Sequence, residues 1–131
     1  MRRIATVVIV LSAAMAFIGA SARGAEFIAL KSGETTEVQT LYWISNCRSM
    51  LRGAMTVEIL DGPPDVTASI REQDVTPRNQ ECARPVHGGV LLLTAKEIKT
   101  RTQAKLVLRV TYPTVDGERQ KSRDMDLMLL P

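Results

Sequence analysis

An all-β sandwich of about seven short antiparallel strands is the architecture that this 131-residue sequence predicts, and three observations carry it. Apolar residues recur mostly at every second position, the period of a strand with one buried face. Clusters of Gly, Pro and Asp-Gly separate most of these runs. Setting aside an N-terminal export segment of 22 residues leaves 109 of the 131, enough for one sandwich core and too few for two domains. The composition agrees. At 45% hydrophobic, 24% charged and 4% aromatic, the chain is neither disordered, collagenous, a coiled-coil rod nor a polytopic membrane protein.

The first element is an address rather than structure. Arg2 and Arg3 precede an uncharged apolar run over residues 4–18, and Ala20 and Ala22 supply the small-x-small pattern that a signal peptidase needs. The layout predicts a secretory signal peptide over residues 1–22, cut after Ala22, and a single domain over 23–131. The competing reading is an uncleaved anchor, since residues 4–22 approach the length that spans a bilayer. Removing Arg2 and Arg3 lowers the net charge from +3 to +1, with basic and acidic residues interspersed. A nucleic-acid binder needs a basic stripe to displace counterions, and none is visible.

The strands follow in order. Residues 27–30 form a short apolar piece suited to an edge. Residues 34–44 are rich in β formers, among them Thr35, Thr36, Val38, Tyr42 and Trp43. In 54–60, Met55, Val57 and Ile59 alternate with Thr56 and Glu58, and Asp61-Gly62-Pro63-Pro64 ends the run. Val66, Ala68 and Ile70 then alternate with Thr67, Ser69 and Arg71, and a separate short piece over 74–76 stops at Pro77. Residues 77–89, with two prolines, two glycines and Cys82, read as a loop. Residues 90–94 are continuously apolar, as in a strand buried on both faces. A helical turn is expected over 95–103. Residues 104–112 give the cleanest alternation, Asp116-Gly117 is a hairpin signal, and the closing strand spans 123–130.

Cys47 and Cys82 are the only cysteines. In an oxidising compartment two cysteines read as one disulfide. They are too far apart in sequence for a Cys-x-x-Cys redox pair and, with one histidine, too few for a closed metal site.

Three stretches together, Gly88-Gly89-Val90-Leu91-Leu92-Leu93-Thr94-Ala95, Leu106-Val107-Leu108-Arg109-Val110-Thr111-Tyr112 and Asp116-Gly117, resemble the second half of an immunoglobulin-like bacterial envelope domain. The chain also resembles small exported alphaproteobacterial proteins of unassigned function. The resemblance implies an immunoglobulin-like antiparallel β-sandwich. It departs from antibody-type domains in the cysteines, which sit in loop-like segments, with Trp43 four residues before Cys47. The expected bridge therefore pins loops instead of joining two sheets at mid-strand.

Catalytic chemistry finds few candidates. A nucleophilic triad would have to run through His87, the only histidine, whose Gly-rich neighbourhood reads as a solvated loop. Asp124 and Asp126 share one strand face about 7 Å apart, a spacing that glycosidase chemistry can use, but a solvent-facing strand accounts for them. No catalytic residue, metal site or cofactor is expected. Tyr42 and Trp43 point to opposite faces, and both are expected to be covered. Arg48 and Arg52 flank Cys47, and Arg78 and Arg84 flank Cys82. With Trp43 they form the candidate contact surface, partly neutralised by Asp74 and Glu81.

The sequence thus points to a non-catalytic protein of the periplasm or extracellular space. It is expected to be monomeric, to lack a membrane span after cleavage, and to bind another envelope or extracellular protein. The alternatives are a structural subunit that assembles by strand addition, with residues 27–30 as donor and 125–130 as edge, or a small periplasmic inhibitor.

Overall fold

The computed structural model describes residues 27–78 and 82–131. The predicted signal peptide over 1–22 and Glu81 lie outside the described residues. Nine strands are present among the described residues: β1 (Phe27–Lys31), β2 (Thr35–Leu41), β3 (Ile44–Ser45), β4 (Arg48–Ser49), β5 (Thr56–Asp61), β6 (Val66–Val75), β7 (Val86–Ala95), β8 (Thr102–Thr114) and β9 (Gly117–Leu130). They form a four-stranded sheet in the order β1-β9-β8-β5, a three-stranded sheet in the order β2-β7-β6, and the small β3-β4 hairpin. The protein is all-β and sandwich-like.

The core follows from the alternation. Leu106, Leu108, Val110 and Tyr112 of β8 and Leu127 and Leu129 of β9 point inward from one sheet. Leu41 of β2, Leu91, Leu93 and Ala95 of β7 and Val66 of β6 meet them from the other. The continuous apolar run of β7 has a reason. Its outward residues Val86 and Val90 build a second cluster with Val75, against which Tyr42, Ile44 and Leu92 pack. Bulges at two edges disturb the ladders. Between Glu37 and Gln39 the β2 register shifts, and between Ile59 and Asp61 the β5 register shifts, which leaves Leu60 45% exposed.

Four expectations need correction. Residues 96–101 form no helical turn. Their backbone is tied instead to the preceding turn, with Gly33 N donating to Ala95 O (2.9 Å), Ser32 Oγ to Lys96 O (2.9 Å) and Ile98 N to Ser32 Oγ (3.0 Å). A stretch that short cannot offset helix nucleation once its carbonyls are engaged elsewhere. Residues 86–89 are strand, so His87, Gly88 and Gly89 lie within β7 and not in the loop. The glycines mark close approach: a Cβ on Gly88 would strike the Leu41 carbonyl oxygen and lie 2.6 Å from Val75 Cγ2. The pieces 66–71 and 74–76 are one strand, β6, whose register with β7 runs unbroken from Val66 to Val75. β9 starts at Gly117, six residues before the predicted closing strand, because its first half is polar on both faces.

The expected short edge strand at the start of the domain is present as β1, but it runs parallel to β9, with Phe27 opposite Asp126 and Lys31 opposite Leu130. The hairpin at Asp116-Gly117 forms as predicted, with Thr114 paired to Gly117. Gly117 holds φ at +107° with open space around its Cα. Gly117→Ala is therefore expected to cost about 1 kcal/mol through backbone conformation alone, read as a small drop in urea midpoint with m unchanged.

Candidate functional site

The Cys47–Cys82 disulfide forms, with Cα atoms 5.4 Å apart. Such a bridge is consistent with an oxidising compartment. Asn46 and Cys47 occupy the two-residue turn of the β3-β4 hairpin with φ of 51° and 58°, the double left-handed conformation that matches strand twist in tight hairpins. Cys47 is exposed at the tip, and Cys82 is buried. Ser49 Oγ ties the hairpin to β7 by donating to the His87 carbonyl (2.9 Å), and Met50 N extends the hairpin's own ladder by donating to Trp43 O (2.8 Å).

Arg48, Arg52, Arg78 and Arg84 are all exposed, and none takes part in an ion pair among the described residues. Arg48 and Arg84 stand next to and two residues from the bridged cysteines, so the disulfide keeps their Cα atoms within about 17 Å. The Arg52 amide donates to Pro113 O (2.7 Å), beside the β8-β9 turn. Tyr42 and Trp43 take opposite sides, as adjacent strand-like residues must. Tyr42 packs on the second cluster and half-buried Trp43 on the main core. The Trp43 ring tilts against Tyr112 (centroids 5.2 Å apart), and Lys121 Nζ sits 4.8 Å from the Trp43 ring centroid.

His87 Nε2 lies 3.0 Å from Glu72 Oε2, while Glu72 Oε1 accepts from Met55 N (2.9 Å). The nearby Ser49 hydroxyl bonds the His87 backbone carbonyl and not its ring. Asp124 and Asp126 pair across the ladder with Val107 and Lys105, on the outward side of β9. No group of three or more acidic, His or Cys side chains among the described residues could hold a metal ion. No helix among the described residues is long and apolar enough to cross a membrane.

A concavity lies along the free edge of β2. It is an open trough of about 630 Å³ that wraps from Glu37, Thr40, Tyr42 and Val90 round to Tyr112, Lys121 and Arg123, with Arg78 at its border. A second depression of about 360 Å³ shares Val38, Gln39 and Arg123 with it and runs on to Ile28 at the start of β1. The trough exists because β1 pairs with β9 only from Asp126 onward. From Gly117 to Met125 the side of β9 away from β8 has no strand neighbour among the described residues. The register supplies a further fact. Tyr112, Val110 and Leu108 lie opposite Arg119, Lys121 and Arg123, and directly opposed residues share a face. Three cations thus continue, on the inner side of the sheet, the row that Met125, Leu127 and Leu129 occupy further along.

Tyr112 is buried, and its hydroxyl makes no hydrogen bond among the described residues. Burial pushes its ionisation above the ordinary value near 10, and the Arg123 guanidinium pulls only part of the way back. A raised folded-state value contributes stability that is fully present below the unfolded value, about 10, and is lost as pH rises through the folded one. Melts between about pH 8 and 11 should show Tm falling more steeply for the native protein than for Tyr112→Phe, and parallel curves would contradict the burial argument.

Of the sequence-derived contact residues, Arg78 alone borders the trough. Lys121 and Arg123 belong to no motif, but reading residues 117–124 at period two backward from Met125 places three cations, Arg119, Lys121 and Arg123, on the core-facing side. Comparison of the chain with protein-family models, with curated proteins and with solved structures returned no match.

Proposed function

We propose that this is an exported, non-catalytic binding module that contacts another envelope or extracellular protein through the trough between β2 and β9. The carrying observation is that trough: an open concavity where two strand edges stay unpaired and Arg78, Lys121 and Arg123 have no ion-pair partner among the described residues. Export is supported by the predicted signal peptide together with the disulfide. The two packed sheets, antiparallel apart from the β1-β9 pair, support reading the sandwich as immunoglobulin-like. Arg48 and Arg84 at the bridged end, and half-buried Trp43 beside Lys121, extend the contact surface. Assembly by strand addition is the weaker alternative, since its donor (27–30) and edge (125–130) already pair within one chain.

The test is photo-crosslinking in the native host, with a benzophenone amino acid at Thr40 in the trough, at Arg84 beside the bridge, or at Asp61 on the opposite edge strand β5. A discrete adduct with a second protein from Thr40 or Arg84, and none from Asp61, is the expected result. Absence of any adduct, or the same adducts from all three sites, would overturn the proposal.

A further inference from the structure

The stretch of β9 that has no strand neighbour beyond β8 among the described residues has a chemistry that selects its occupant. We infer that Gly117–Met125 is a docking edge for an extended acidic polypeptide segment, which adds to the sheet as a strand collinear with β1 and sets an acidic side chain at every second position against Arg119, Lys121 and Arg123. The inference rests on the binding reading above and names the class of partner.

The backbone makes the first half of the case. An edge strand presents a row of free N–H and C=O groups, and peptides recognised by strand addition draw affinity from that ladder and specificity from alternate side chains. Nine residues of β9 offer about 30 Å of such edge. β1 already shows that this side of β9 accepts a neighbour, because its five residues pair there immediately beyond the free stretch.

Charge makes the second half. Arg119, Lys121 and Arg123 recur about 7 Å apart on one face. None is ion-paired among the described residues, whereas Glu37, the acid in the trough, is engaged by Arg71. An added strand whose acidic residues alternate would match that row position for position. A second copy of this chain would not. Symmetric antiparallel pairing of two β9 edges sets cation opposite cation on the same face, which is destabilising. Inward-pointing charges also guard edge strands against aggregation. A guard alone needs only charge of either sign, while a docking edge requires this sign.

The experiment uses the oxidised protein and two fluorescent nine-residue peptides, one alternating Thr with Glu and one alternating Thr with Lys. Anisotropy should show binding of the Glu peptide only, weakened about tenfold or more by raising salt from about 50 to 500 mM. The double reversal Lys121→Glu/Arg123→Glu, at exposed positions, should abolish that binding and confer binding of the Lys peptide. Hydrogen exchange should slow at the amides of 117–125 when the Glu peptide is bound. Equal binding of both peptides, indifference to the reversal, protection elsewhere, or a light-scattering dimer that the reversal dissolves would each overturn the inference. The two proposals fail separately. Crosslinks at Arg84 with no Glu-peptide binding refute the edge and leave the binding module. Glu-peptide binding with no partner crosslinked in the cell does the reverse.

Discussion

Breaking the Cys47–Cys82 bridge is expected to lower the unfolding free energy by roughly 3.5–4 kcal/mol, the chain-entropy value for the loop of about 36 residues that it closes. For a domain of this size that shift corresponds to a fall in Tm of about 15–25 °C. The loss arises mainly in the unfolded chain, which regains the freedom the crosslink removed. It should therefore appear both on reduction of the native protein and in Cys82→Ala. Cys47 adds a distinguishing feature, because it holds φ at 58°, where a side chain is strained and glycine is not. Cys47→Gly loses the same bridge but relieves that strain, so it should be about 1 kcal/mol less destabilising than Cys82→Ala, which also truncates a buried side chain. Urea titrations of the three forms with and without reductant check this. A loss below about 1 kcal/mol would show that the hairpin is held by its packing on β7 and not by the disulfide.

Gly88→Val is expected to cost about 3 kcal/mol, the upper part of the range for forcing extra atoms into a packed site. The obstacle is backbone. The added Cβ meets the Leu41 carbonyl oxygen at the end of β2, which cannot rotate away as a side chain can, and Val75 Cγ2 blocks the remaining side. Gly89→Ala is the useful control, since its nearest neighbour is the flexible Met55 methyl at 2.9 Å, with Arg71 O and Ile70 Cγ2 at 3.0 Å. It should lose clearly less. Equal losses at the two positions, measured by thermal and urea unfolding, would mean that β2 ends further from β7 than described.

Legibility in the sequence tracked burial. Where one face of a strand packs and the other is wet, as in residues 104–112, alternation located the strand to within a few residues. Where a strand is polar on both faces, as in residues 117–122, period two carries no apolar signal, and the closing strand reads six residues too short. Gly88-Gly89 misled for a different reason: glycine marks either a turn or a close approach, and only the neighbouring Leu41 and Val75 decide which. The disulfide was legible because two cysteines allow one internal pairing. The trough was not, since it arises from the five-residue length of β1 and from which strands lie at the sheet edges, neither of which is local. Its cations were visible as letters but not as a row.

The pairing of Phe27 with Asp126 also governs how the chain must mature. The first strand finds its place only after about a hundred further residues have been made, so no partly synthesised or partly delivered chain can complete the four-stranded sheet. Until the last residues arrive, Ile28 and Leu30 lack the ladder that β9 gives them, and the domain has to close late, in one long-range step of the kind that makes β topologies slow folders. Any machinery that releases or trims this polypeptide therefore meets an unfinished sheet, and a clipped C-terminus would strand the beginning of the molecule together with its end.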